Sequence, residues 1–263
     1  MSLATVKKNI LRMAHYSYAS HVGSALSAAD ILYTIYAKAA DITPENINSA
    51  DRDKVILSKG HASTALYATL AEFNLLPKEY LDRYYIDGGV LPGHLDKDSV
   101  PGVDASAGSL GHGLSLGLGM ALAKPQYKVF VVQGDGESEE GSVWEAAALA
   151  SALKAKNLTL IVDVNNLQGF GRTNDIIPVD SFAAKFKAFG WETYSADGHD
   201  LKQLEELLKK PQNAPKAIIA KTVKGHGVSY MEDELKWHYK SPNAEELAQG
   251  CLELDSAEKG NKE

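Results

Sequence analysis

Five short apolar runs recur along the chain: Lys54–Ser58 (KVILS), Lys128–Gln133 (KVFVVQ), Leu158–Val164 (LTLIVDV), Thr193–Ala196 and Ala217–Thr222. Runs that are apolar at nearly every position suit strands covered on both faces, because a strand with one wet face alternates instead. Between them lie Ala28–Ala40, Ser63–Glu72, Val143–Lys154, Ser181–Phe189 and Leu201–Lys209, whose apolar residues recur near helical spacing. Strand and helix in alternation predict stacked βαβ units, hence an α/β domain with a mainly parallel sheet between two helical layers.

Composition removes several other classes. Hydrophobic residues make up 44% and charged residues 23% of the 263, as in ordinary globular domains. That length fits one large domain. No apolar run approaches a membrane span. The N-terminal MSLATVKKNILRMAHYSYAS reads as an amphipathic helix rather than a secretory signal, so a cytoplasmic location is expected. Cys251 is the only cysteine, which leaves no internal disulfide and no thiolate zinc cluster. A net charge of −7 opposes nucleic-acid binding, which draws its affinity from basic residues. Residues 1–250 are expected to form the domain. The polar residues Leu252–Glu263 are expected to fray, with 251–263 as a disordered tail.

The segment GDGESEEGSVWEAAALASALKAKNLTLIVDVNNLQGFG, Gly134 to Gly171, begins where KVFVVQ ends. It holds one helix, one further strand, and Asn165-Asn166 at that strand's end. Asp135 and Asn166 are thus separated by about thirty residues, roughly one βαβ unit. Adjacent parallel strands would bring both to the carboxyl edge of the sheet, where open α/β sheets bind ligands. A carboxylate, an amide oxygen and a nearby carbonyl make an incomplete oxygen site suited to Mg²⁺ or Ca²⁺, completed by water and phosphates. Gly134 and Gly136 would let the backbone approach a diphosphate, and the helix expected from about Ser142 would turn its N-terminal N–H groups towards it. Alone, GDG is more often an ordinary tight turn. Its pairing with NN one unit later favours the functional reading.

That pairing resembles the thiamine-diphosphate motif, and the wider chain resembles the transketolase family. SHVGSALSAADIL from Ser20, DRDKVILSKGHASTALYATLAEF from Asp51, LPGHLD from Leu91, GSLGHGLSLGLGMAL from Gly108 and KGHGVSYMEDELKWHYK from Lys224 follow in the family's order, over residues 5–245. The resemblance implies the thiamine-diphosphate-binding fold, with Asp135, Asn166 and the main-chain carbonyl of Gln168 holding Mg²⁺, for which Ca²⁺ or Mn²⁺ substitutes. It places Gly136 against the diphosphate, with Ser24, Lys59, His61, Gly108, Ser109, Leu110 and Glu140 around the cofactor. It also assigns His21, His61, His94 and His238 to an imidazole ring that orients sugar hydroxyls and relays protons, work suited to a group that titrates near neutrality. Glu140 and Glu145 match carboxylates that link two active sites, although a helix start alone also favours Glu140. The chain departs from the family at Val22, His112 and Tyr239, where relatives commonly carry proline, glutamine and glycine.

A complete transketolase also has a pyrimidine-binding domain, which this sequence lacks. The expected partner is therefore a separate C-terminal subunit in an α₂β₂ assembly, which transfers a two-carbon ketol unit between sugar phosphates, as in pentose phosphate metabolism. Another thiamine-diphosphate ligase and a non-catalytic homologue are the alternatives. A nucleotide-binding dehydrogenase is disfavoured, because no GxGxxG opens a helix after the first strand.

Overall fold

A computed structural model describes residues 1–179 and 181–260. Strands β1 (Lys54–Leu57), β2 (Val129–Gly134), β3 (Leu158–Val164), β4 (Glu192–Asp197) and β5 (Lys216–Lys221) form one sheet in the order β1-β2-β3-β5-β4. Every pairing is parallel. The five runs therefore form the five strands, with no end shifted by more than one residue.

Nine α-helices accompany them among the described residues: α1 (Leu3–Ser17), α2 (Val22–Thr34), α3 (Ser63–Glu72), α4 (Gly113–Ala123), α5 (Gly141–Ala152), α6 (Thr173–Ile176), α7 (Phe182–Ala188), α8 (Leu201–Lys209) and α9 (Ala244–Gly260). Alternate strand residues feed two separate cores. Leu57, Phe130, Val132, Ile161 and Ile218 pack with α1, α2, α3 and α8 on one face. Ile56, Val131, Leu160, Val162 and Ile219 pack with α4, α5 and α7 on the other. This is the expected three-layer α/β/α arrangement, and covering both faces is what permits strands without polar alternation. No helix among the described residues is long and apolar enough to cross a membrane.

Two expectations are corrected. Helix α2 starts at Val22, ahead of Ala28, and passes into a π-helical turn at Ile35–Ala39. More substantially, residues 252–260 do not fray, and no boundary falls at 250, because α9 runs through both. Its Leu247, Gly250 and Leu254 share one face, with Gly250 set against Leu11 and Leu254 only 4% exposed. Lys8 of α1 adds an ion pair to Asp255 at 2.5 Å. Three small or apolar residues at helical spacing were enough to dock a segment whose overall composition is polar. Residues 261–263 lie outside the described residues.

Candidate active site

Gly134 at the end of β2 pairs with Asp163 near the end of β3. Both following turns therefore leave the sheet at the same edge, beside a cavity of about 590 Å³. Asp135 is 3% exposed there. Its Oδ1 accepts from the Gly136 N–H at 2.9 Å, and its Oδ2 from the Asn166 N–H at 2.7 Å and the Thr173 hydroxyl at 3.0 Å. Burial, and then the charge of Asp163, raise its pKa in spite of these bonds.

The structure parts Asn166 from the cavity. Its side chain is exposed, its φ is +60°, and only its backbone N–H meets Asp135. Asn165 is the buried member of the pair, at 5% exposure, and it lines the cavity. Its Nδ2 donates to Ser27 at 3.3 Å, and its Oδ1 accepts from the Leu167 N–H at 3.1 Å. Leu167 O accepts from Lys224 Nζ at 3.0 Å inside the site, whereas Gln168 sends its side-chain amide to Glu139. Asparagine tolerates the left-handed conformation well, so either residue of an Asn-Asn pair can turn the corner, and the sequence does not say which.

Asp135, Asn165 and Leu167 bring a carboxylate, an amide and a carbonyl oxygen to this corner, the donor types a hard divalent cation takes, with the Lys224 ammonium bonded to Leu167 O rather than to the Asp135 carboxylate. Gly108 and Gly134 face open space: a Cβ at Gly108 would meet nothing within 4 Å, and one at Gly134 only atoms at 3.9 Å and beyond. Side chains there would occupy cavity volume. After Gly134 a short 3₁₀ turn, Gly136–Glu139, precedes α5, which begins at Gly141, one residue before the expected Ser142.

Two buried lysines offset the acids. Lys59 Nζ lies 2.5 Å from Asp163, which also accepts from Ser27 at 2.7 Å and from Thr222. Lys224 donates to Leu167 O and, at 3.0 Å, to His238 Nδ1. Burial, and then Lys59, pull Lys224 down to about 8.

His21, His61, His94 and His238 all line the cavity. Ring centroids lie 5.2 Å apart for His21–His61, 6.0 Å for His21–His94, 4.8 Å for His21–His238 and 5.9 Å for His61–His238. Four distant segments thus deliver four imidazoles to one wall. Burial, then His94 and Lys224, lower His21 to about 4, and burial, then Lys224 and His21, lower His238 to about 3. His61 is held well below its ordinary value by burial and then by Lys59. These three rings are neutral at pH 7. Because Lys224 donates to His238 Nδ1, the His238 proton belongs on Nε2, beside Gly169.

Ser24, Lys59, Gly108, Leu110, Gly136, Glu140 and Gln168 also reach the lining. Ser109 is exposed and lies outside it, as do Asn166 and Glu145. Asn165, Leu167, Lys224, Glu137 and Phe170 line the cavity without having been singled out for it in the sequence. Lys224 sits in the KGHG motif, whereas no motif or spacing sets Glu137 apart from its acidic neighbours in GESEE.

A second cluster lies apart from this cavity. Asp30, His199 and His226 could surround a metal ion. Lys7 Nζ, however, stands 2.7 Å from Asp30 Oδ2 and 2.9 Å from His226 Nδ1, and His199 Nε2 accepts from the Val223 N–H at 2.9 Å. An ammonium therefore supplies the cation, and the His199 bond leaves its proton on Nδ1.

A parallel α/β/α sheet with an oxygen-donor corner and an imidazole wall at its carboxyl edge defines a thiamine-diphosphate-binding domain. The chain belongs to the transketolase family: residues 9–254 match the family described as transketolase, thiamine diphosphate binding domain. It is 37% identical over 254 residues to one subunit of the apulose-4-phosphate transketolase of Actinobacillus succinogenes, covering 94% of this chain and 92% of that one. It is 37% identical over 242 residues to the 6-deoxy-6-sulfo-D-fructose transketolase subunit SqwG of Clostridium sp., covering 89% and 88%. Among solved structures, transketolase from Campylobacter jejuni superposes with a TM-score of 0.77 at 27% identity, over 98% of this chain and 46% of that one. A Pichia stipitis transketolase, with a TM-score of 0.80 at 24% identity, shares the fold, and this chain spans 44% of its length.

Proposed function

We propose that the chain is the diphosphate-binding subunit of a cytoplasmic two-subunit transketolase, which moves a two-carbon ketol unit from a ketose phosphate to an aldose phosphate. The observation that carries this reading is the meeting of four imidazoles with the Asp135–Asn165–Leu167 corner in one cavity. Asp135, the Asn165 amide oxygen and the Leu167 carbonyl would hold Mg²⁺, with Ca²⁺ or Mn²⁺ as substitutes. This places the amide and carbonyl one residue earlier than the sequence suggested.

Thiamine diphosphate, when bound, supplies the carbon nucleophile and the electron sink of ketol transfer. The chain's own residues do the rest. Lys59 and Lys224 offset anionic charge where water is scarce. Neutral His21, His61 and His238 each carry one donor and one acceptor nitrogen, the His238 acceptor being taken by Lys224, so they can orient sugar hydroxyls and carry protons without adding cations to the site. His238 presents Nε2–H, and His21 is steadied by Ser20 Oγ, 2.9 Å from its Nδ1.

The chain spans less than half of the solved transketolases, while two relatives that it matches end to end are each named as one subunit of a transketolase. A separate pyrimidine-binding subunit in an α₂β₂ assembly completes the enzyme in this reading. Relatives named for apulose 4-phosphate and for 6-deoxy-6-sulfo-D-fructose support an anion-bearing ketose as donor rather than a particular pentose phosphate. The test is to co-purify the chain with a pyrimidine-binding transketolase subunit encoded in the same genome and assay ketol transfer with and without thiamine diphosphate and Mg²⁺. Transfer by the pair that requires both additions supports the reading. A pair that binds the cofactor yet transfers nothing from any phosphorylated or sulfonated ketose refutes it.

A further inference from the structure

Glu137 is 2% exposed, reaches the cavity, and has a part in neither the metal corner nor the imidazole wall. Its Oε1 accepts from the Ser58 hydroxyl and from the Gly111 N–H at 2.9 Å, while Oε2 accepts from the Gly134 N–H at 3.2 Å. Ser58 Oγ accepts in turn from the Gly113 N–H at 3.0 Å. These donors sit on three separate segments. Ser58 follows β1 and immediately precedes Lys59, Gly111 follows Gly108 and Leu110, and Gly134 precedes Asp135. Each segment supplies residues to the cavity, yet no strand pairing joins the Gly108–Gly113 turn to the sheet. The fit is close: a Cβ on Gly113 would stand 2.2 Å from Ser58 Oγ.

We infer that Glu137 is a positioning residue, a clasp whose two carboxylate oxygens hold the β1 end, the Gly108–Gly113 turn and the β2 end at the spacing that a bound diphosphate and its cation require. A carboxylate is needed because all the groups facing it are donors. Glutamine could keep its oxygen towards Ser58 and Gly111 only by turning an NH₂ against the Gly134 N–H, leaving a buried donor unmatched. The inference rests on the proposed function, and its test separates the two.

The test is calorimetric titration of the full chain with thiamine diphosphate in excess MgCl₂, with the melting curve of the ligand-free chain recorded alongside. Glu137→Gln is expected to melt cooperatively and to bind about tenfold more weakly, in line with one unmatched buried donor. In the complex with its partner subunit, turnover should recover as cofactor is raised, so that the half-saturating cofactor concentration moves rather than kcat. Affinity within twofold of wild type overturns the inference, as does a loss of turnover that excess cofactor does not restore. Should Glu137→Gln fail to fold, Ser58→Ala removes one donor from the same clasp. A weakening of about threefold then supports the inference, and unchanged affinity overturns it. Absence of binding by the wild-type chain and by its complex would refute the proposed function itself.

Discussion

The backbone N–H of Asn166 donates to Asp135 Oδ2 at 2.7 Å, while the Asn166 side chain is exposed to solvent. The amide that shares the cavity with Asp135 belongs to Asn165. Adjacent identical residues therefore have different work: one turns the chain and the other lines the site.

Replacement separates these roles. Asp135→Ala and Asn165→Ala should each raise the Kd for thiamine diphosphate in excess Mg²⁺ by about 100-fold or more, since even residues behind a metal ligand cost roughly 10–100-fold. Asn166→Gly should stay within about twofold, because glycine accepts a φ of +60° and the N–H remains. Titration of the three variants decides the matter. If Asn166→Gly binds poorly and Asn165→Ala normally, the assignment of Asn165 is wrong.

The layered fold is legible in the sequence because burial on both faces leaves a direct trace in the apolar runs of β1, β2, β3 and β5, whereas the half-polar ETYSAD of edge strand β4 follows from the strand–helix alternation. The four histidines were legible through resemblance, since no periodicity links His21, His61, His94 and His238. The Asn165–Asn166 choice depended on one backbone dihedral, which two identical side chains cannot report. The resemblance puts Ser109 beside the cofactor, but a motif does not say which residues of a turn face inward. Helix α9 is concealed for a different reason: its docking stripe of Leu247, Gly250 and Leu254 lies within a segment of polar average composition.

The imidazole wall makes stability depend on acid. Folded His21 titrates near 4 against 6.5 for an ordinary histidine, and His238 near 3. Between those values the unfolded chain binds more protons, so stability is full above about pH 6.5 and falls as pH drops through the window to about 4. The melting temperature of the ligand-free chain should decline from pH 7 to 5. His21→Gln should flatten part of that slope. A His21 ring signal titrating near 6.5 by NMR would contradict the account.

Lys59 and Asp163 are 1% and 0% exposed, and their ion pair at 2.5 Å lies beside the cavity. Lys59→Met should destabilise the chain by about 3–5 kcal/mol, because it strands a buried carboxylate, and Lys59→Met with Asp163→Leu should recover part of the loss. Urea unfolding measures both. A double variant less stable than Lys59→Met would show that the Ser27 and Thr222 bonds to Asp163 outweigh the charge imbalance.

Tyr239 closes one side of the cavity from an exposed position. Its hydroxyl donates to Gly169 O at 2.6 Å, and its ring meets His238 edge-on with centroids 5.0 Å apart. Gly169 lies in the turn between Leu167 and Arg172, which carries both the Leu167 carbonyl and Phe170, itself 89% exposed. Arg172 anchors the far end of that turn to Asp233. An exposed hydrogen bond contributes little to global stability, about 1 kcal/mol or less, but it can decide how long a surface turn stays closed. Tyr239→Phe should therefore leave the melting temperature nearly unchanged while speeding amide hydrogen exchange across residues 167–171. Tyr239→Gly should do the same and also remove the ring from the cavity mouth, lowering KM for bulkier acceptor sugars in the assembled enzyme. Exchange as slow in Tyr239→Phe as in wild type would mean that the Arg172 anchor holds the turn alone, and Tyr239 would then act on the substrate's path only through its bulk.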